Sequence, residues 1–81
     1  MVEVTLWSGL VPLADNQRKL EIEAGTIREL LGKLQDRYPG LKEPIRSEVA
    51  VVVDGTVYRN DWSQELAPDA DVFLMRRLTG G

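Results

Sequence analysis

The chain ends Gly80-Gly81, and these are the residues whose type and place suit chemistry best. A backbone without β-carbons is slender enough to thread a narrow slot in another protein and takes up conformations closed to other residues. Its terminal carboxylate is a poor acyl donor until ATP adenylates it. The acyl-adenylate then yields to a sulfur nucleophile, giving a thiocarboxylate, or to an amine, giving an amide. With no cysteine, the chain has no thiol nucleophile, thiolate metal site or disulfide framework. With no histidine, it lacks the usual general base and the commonest neutral metal ligand. Any sulfur it carries would therefore sit on the terminal carbonyl of Gly81, and the chain cannot catalyse its own activation. A plainer account also stands, because glycines in a terminal tail pack nothing and small, mobile ends are common.

Upstream, Arg76 and Arg77 are candidates to steer such a tail toward an acidic groove on a partner, setting encounter rate and register. As strand-end residues they are equally well explained as solvated. Asp54, Asp61, Asp69 and Asp71 all fall near turns, where Asp caps local backbone donors. A catalytic carboxylate pair would instead need a cleft that separates two pKa values. Gly55 belongs to a turn, since no glycine-rich loop opens a helix and no Walker pattern occurs. Tyr38 and Tyr58 read as core or rim residues.

The elements that must position the tail follow from periodicity. Val2, Val4 and Leu6 alternate with Glu3, Thr5 and Trp7, and Leu20 and Ile22 alternate with Lys19, Glu21 and Glu23. Each is the period of a half-buried strand, and the turn-rich stretch from Gly9 to Gln17 joins them as an antiparallel hairpin. After Gly25 the period lengthens: Ile27, Leu30, Leu31, Leu34 and Tyr38 form one apolar helical stripe. Thr26 with Glu29 three residues on is a capping-box signature, and Pro39-Gly40 stops the helix. Gly32, in mid-helix, costs about 1 kcal/mol relative to Ala. Residues 41–48 read as a loop with a short turn of helix. Val49 to Val53 is apolar on both faces, a central strand, and Asp54-Gly55 turns it back into Thr56-Val57-Tyr58. Trp62 and Leu66 anchor a loop before the last strand, Val72 to Arg77.

A hairpin, a crossover helix and further strands make an α+β fold. The right-handed crossover rule leaves few topologies, and the best one sets the first and last strands side by side and parallel mid-sheet, the β-grasp arrangement. The expectation is a mixed sheet of four to five strands with one main helix across one face, a body over 1–77 and a flexible tail over 78–81. If Val72 and Leu74 point inward, Phe73 and Met75 lie on the open face near Trp7, as a partner-docking patch. The competing arrangement covers that face with the loop carrying Trp62.

At 81 residues there is room for one domain, and 43% hydrophobic with 28% charged residues suits an ordinary globule. A net charge of −3 argues against nucleic acid as a partner. No secretory signal and no run of eighteen apolar residues occurs, so no membrane partner and a cytoplasmic location are expected.

The whole chain resembles the ubiquitin-like sulfur-carrier family, which contains the small subunit of molybdopterin synthase and the thiamine-biosynthesis sulfur carrier (MoaD/ThiS). The residues that carry the resemblance are Thr26-Ile27-Arg28-Glu29-Leu30-Leu31, Val51-Val52-Val53-Asp54-Gly55, Leu66-Ala67-Pro68-Asp69-Ala70-Asp71-Val72 and Gly80-Gly81. The resemblance implies a β-grasp fold and a carrier or co-substrate rather than an enzyme, with no cofactor of its own. It further implies that a ubiquitin-activating-enzyme-like adenylyltransferase, using ATP and Mg, adenylates Gly81 and that a thiocarboxylate follows. Gly80, Thr79 and Leu78 would then form the slender tail. The second implied partner is a sulfur-accepting enzyme or a large synthase subunit. Met75-Arg76-Arg77-Leu78 is closer to the end of ubiquitin than to the proline-bearing ends of molybdopterin-type members. Molybdopterin, thiamine, thionucleoside and cysteine pathways thus all stay open as acceptors, beside attachment to protein lysines. A non-covalent β-grasp binding module is the remaining alternative.

Overall fold

A computed structural model describes residues 1–47, 49–59 and 61–76, without the side chains of Ser47 and Arg76. Strand β1 (Val2–Leu6) buries Val2, Val4 and Leu6, and β2 (Lys19–Ile22) pairs with it antiparallel, Val4 opposite Leu20 and Val2 opposite Ile22. Both strands are shorter than the alternation that announces them, which runs on to Trp7 and Glu23. The connection between them contains a 3₁₀ turn, Val11–Ala14, that buries Leu10 and Ala14 beside it. Asp15 and Asn16 close it at φ 54° and 62°, left-handed backbone that short Asx side chains tolerate.

Helix α1 (Ile27–Arg37) lays Ile27, Leu30, Leu31 and Leu34 on the sheet. Thr26 Oγ1 accepts from the Glu29 N–H at 3.2 Å, as the cap signature predicts. The return contact differs: Glu29 Oε1 accepts at 2.6 Å from the N–H of Gly25, one residue before the cap. Tyr38, ahead of a proline, leaves helical torsions at φ −132°, ψ 87°. Where the sequence predicts a loop with a short turn of helix, the chain forms a 3₁₀ turn, Pro39–Leu41, running into a second helix α2 (Lys42–Ser47). Leu41 and Ile45, four residues apart, bury on one side of it, and Pro44 sits in its first turn, where no helical N–H is lost.

Strand β3 (Val49–Val53) turns through Asp54 (φ 47°) and Gly55 (φ 87°) into β4 (Thr56–Tyr58), the positive-φ pair that a tight hairpin demands. Strand β5 (Asp71–Arg76) closes the sheet, whose order is β2-β1-β5-β3-β4. β5 runs parallel to β1, with Val4 beside Val72 and Leu6 beside Leu74, and antiparallel to β3. The predicted parallel pairing of first and last strands is therefore present, in a sheet of five strands, within the four to five expected. The core lies between the inner sheet face and the two helices. Among the described residues no polar or charged residue is buried, and no helix is long and apolar enough to cross a membrane. The expected boundary between body and tail at 77/78 lies outside the described residues.

Candidate functional site

Residues on β5 alternate sharply. Val72 and Leu74 are each 1% exposed in the core, while Phe73 and Met75 are 46% and 49% exposed on the outer face. Sheet register extends this apolar surface sideways. Val52 of β3 stands opposite Phe73 and opposite Val57 of β4, itself 54% exposed, while Ala50 stands opposite Met75. An apolar band thus crosses the outer face from the β4 edge to β5. Its continuation toward β1 is Thr5, in register with Phe73, and then Trp7.

The Trp7 N–H donates to the Leu74 carbonyl at 3.1 Å, holding Trp7 to the end of β5 although it lies past β1. Its indole packs partly against the core and lies over Gly9 so closely that any β-carbon at 9 would run into the ring. Thr5, Trp7, Arg18, Phe73 and Met75 wall a shallow depression of about 320 Å³ beside this contact. The other end of the face is charged, with Lys19 Nζ 3.8 Å from Glu3 Oε1 and both side chains solvated.

The same architecture recurs in solved structures. Small archaeal modifier protein 1 from Methanosarcina acetivorans superimposes with a TM-score of 0.82 at 20% identity, over 99% of this chain and 95% of that one. CysO of Mycobacterium tuberculosis gives 0.84 at 16% identity, over 96% and 100%. A chain in the complex of subunits 1 and 2 of the molybdopterin-converting factor from Helicobacter pylori gives 0.70 at 25% identity, over 99% and 97%. The fold is the ubiquitin-like β-grasp. The resemblance to the ubiquitin-like sulfur carriers read from the residues is thus matched in three dimensions. No family model and no curated relative matches the chain.

Within the β-grasp body, the arrangement that covers the open face with the Trp62 loop is corrected. Trp62 packs on the helical side, its carbonyl accepting the Arg28 N–H at 2.8 Å. Backbone pairing of residues 64–66 with Gly25, Thr26 and Ile27 holds that loop against the start of α1, so Phe73 and Met75 stay uncovered by it. Val52 and Val57 are additions to the face that Phe73 and Met75 announced. The signal for Val52 was available: once Val51 and Val53 point inward, Val52 must point out.

Of the remaining candidates, the backbone of Arg76 pairs with Val49, whereas its side chain is not described. Arg77, Leu78, Thr79, Gly80 and Gly81 lie outside the described residues. Two of the four turn carboxylates hold hydrogen bonds among the described residues, neither of them to a local backbone donor. Asp54 Oδ1 accepts the Asp71 N–H at 3.0 Å, and Asp61 Oδ1 accepts the Ser63 hydroxyl at 2.6 Å. Among the described residues no three carboxylates gather to hold a metal. Tyr38 is buried, with the Arg37 guanidinium 5.6 Å from its ring centre, and Tyr58 is half-buried at the rim.

Proposed function

We propose that this chain is a sulfur-carrier protein whose working group is the carboxylate of Gly81. An activating enzyme of the ubiquitin-activating type would bind the outer sheet face through Phe73 and Met75 and draw residues 77–81 into its nucleotide site. There the Gly81 carboxylate attacks the α-phosphorus of Mg-bound ATP and pyrophosphate leaves. A hydrosulfide-level sulfur nucleophile then displaces AMP and leaves a thiocarboxylate, which a second enzyme or a large synthase subunit consumes. The observation that carries this reading is the course of the chain: the central strand β5 presents an exposed apolar pair and leads straight into a segment ending Gly80-Gly81. A partner gripping that face holds the tail by its root. Arg76 and Arg77 add positive charge at the root, suited to steering toward an acidic groove. On this reading the chain is a co-substrate of the cytoplasm, not an enzyme.

A second reading keeps the same activation and changes the acceptor. An amine attacking the adenylate gives an isopeptide bond, so the chain would tag protein lysines. The ubiquitin-like sequence Arg76-Arg77-Leu78 favours it, as does the likeness to a protein named as a modifier.

Intact-mass analysis of the protein from its native host tests both. Replacement of one oxygen by sulfur, localised to Gly81, is the expected result for a carrier, and lysine-linked conjugates are expected for a modifier. Gly81→Ala should fold normally and fail to be activated. If that variant is thiocarboxylated as efficiently as the parent, the narrow-slot argument is wrong.

A further inference from the structure

On the side of the fold away from Phe73 and Met75, a trough of about 550 Å³ opens between α1, α2 and the Trp62 loop. Its apolar floor is Leu31 and Ile45, and the half-buried indole of Trp62 forms one wall. Three exposed cations, Arg28, Lys42 and Arg46, surround it, and among the described residues no carboxylate lines it. For a chain of net charge −3 this is a local reversal of sign. Among the described residues none of the three cations is held in an ion pair.

Gly32 stands in the α1 wall of this trough. A glycine in mid-helix lowers helix stability, yet no close contact within the fold calls for one here. Its backbone is ordinary helix, and no atom outside that helix's backbone lies within 4 Å of where its β-carbon would be. What the missing side chain leaves is open space beside the apolar floor. The opposite wall is firm, because the hydrogen bonds from Arg28 to Trp62 and from Ile27 to Gln64 tie the loop to the first turn of α1.

We propose that this trough docks an acidic peptide segment of a partner protein, with one large apolar side chain seated between Trp62 and the Leu31–Ile45 floor and flanking carboxylates on Arg28, Lys42 and Arg46. A small anion is the poorer occupant. Such ligands are fixed by a few convergent polar groups, and the polar groups here are long, solvated side chains around an open trough. Those suit an extended chain whose charges can be met at several places, with electrostatics setting orientation and on-rate. The site is independent of the tail chemistry proposed above and leaves the sheet face free, so one partner can hold the body while another works on Gly81.

The test is a titration of the isotopically labelled full chain with a synthetic peptide carrying one central phenylalanine flanked by Asp and Glu, followed by NMR. Saturable shifts are expected at the amides of Leu31, Gly32 and Ile45 and at the Trp62 indole N–H, weakening as salt is raised, with Phe73 and Met75 unmoved. Arg28→Glu combined with Arg46→Glu should weaken binding by at least about tenfold while leaving the melt unchanged. Gly32→Gln fills the wall with a better helix former, so it should raise Tm and still weaken binding. The proposal is overturned if the shifts are absent or fall on the sheet face. It is equally overturned if a lysine-flanked peptide binds as well, if neither variant alters affinity, or if Mg-ATP occupies the same residues more tightly than the peptide.

Discussion

Phe73 and Leu74 are neighbours in one strand with opposite duties. Leu74 is sealed in the core, so Leu74→Ala should cost about 2–5 kcal/mol through lost contacts and the cavity left behind. Phe73 faces out with nearly half its surface exposed, and Phe73→Thr replaces it with a β-branched residue suited to a strand. Losing its cross-strand partnership with Val52 should cost no more than about 1 kcal/mol in a denaturant melt. If Phe73 anchors the activating enzyme, the same change should lower the specificity constant for adenylation at least about thirtyfold, the scale of an interface hot spot. An unchanged rate of adenylate formation would remove Phe73 from the docking face. The pair was legible beforehand because a strand's period is two. Once the core claims Val72 and Leu74, the residues between them must face away.

At the scale of elements, Asp54 does two jobs at once. Its backbone adopts the left-handed turn joining β3 to β4, and its N–H and carboxylate pair with the carbonyl and N–H of Asp71, pinning the start of β5 to that turn. Asp54→Asn retains both the tolerance of positive φ and an acceptor oxygen, so it should be near neutral. Asp54→Ala loses the acceptor and strains the turn, and should destabilise by about 2 kcal/mol in urea unfolding. Equal losses in the two variants would mean that the carboxylate charge, not the turn geometry, matters. The hairpin and α1 could be read in advance because each carries its own signal: Asp54-Gly55 for the turn, and Thr26, Glu29 and a five-residue apolar stripe for the helix. Helix α2 could not. Its six residues hold a single buried apolar residue, Ile45, whose helical partner Leu41 precedes the element. The side taken by Trp62 was equally hidden, since a loop has no period and its placement rests on backbone pairing with residues distant in sequence.

For the molecule as a whole, the proposed function gives separate work to the body and to the end of the chain. The core cluster is built from residues between Val2 and Leu74, and the parallel β1–β5 pairing that unites the hairpin with the β3–β4 half is complete by Arg76. Among the described residues, every member of that cluster precedes Met75. Deleting Gly80 and Gly81 should therefore shift Tm by less than about 6 °C, the displacement that about 1 kcal/mol gives in a domain of this size. On the proposed function, the same deletion should abolish ATP–pyrophosphate exchange by the activating enzyme, because the carboxylate, now on Thr79, stops two residues short of the nucleotide and no longer ends a side-chain-free segment. It should do so while the sheet face still binds that enzyme, so the truncated chain should compete with the intact one. Competition without turnover distinguishes a carried acyl end from a non-covalent module, which would keep its whole function after the cut. A large drop in Tm would instead mean that the last residues support the fold, and the separation of inert body from reactive end would fail with it.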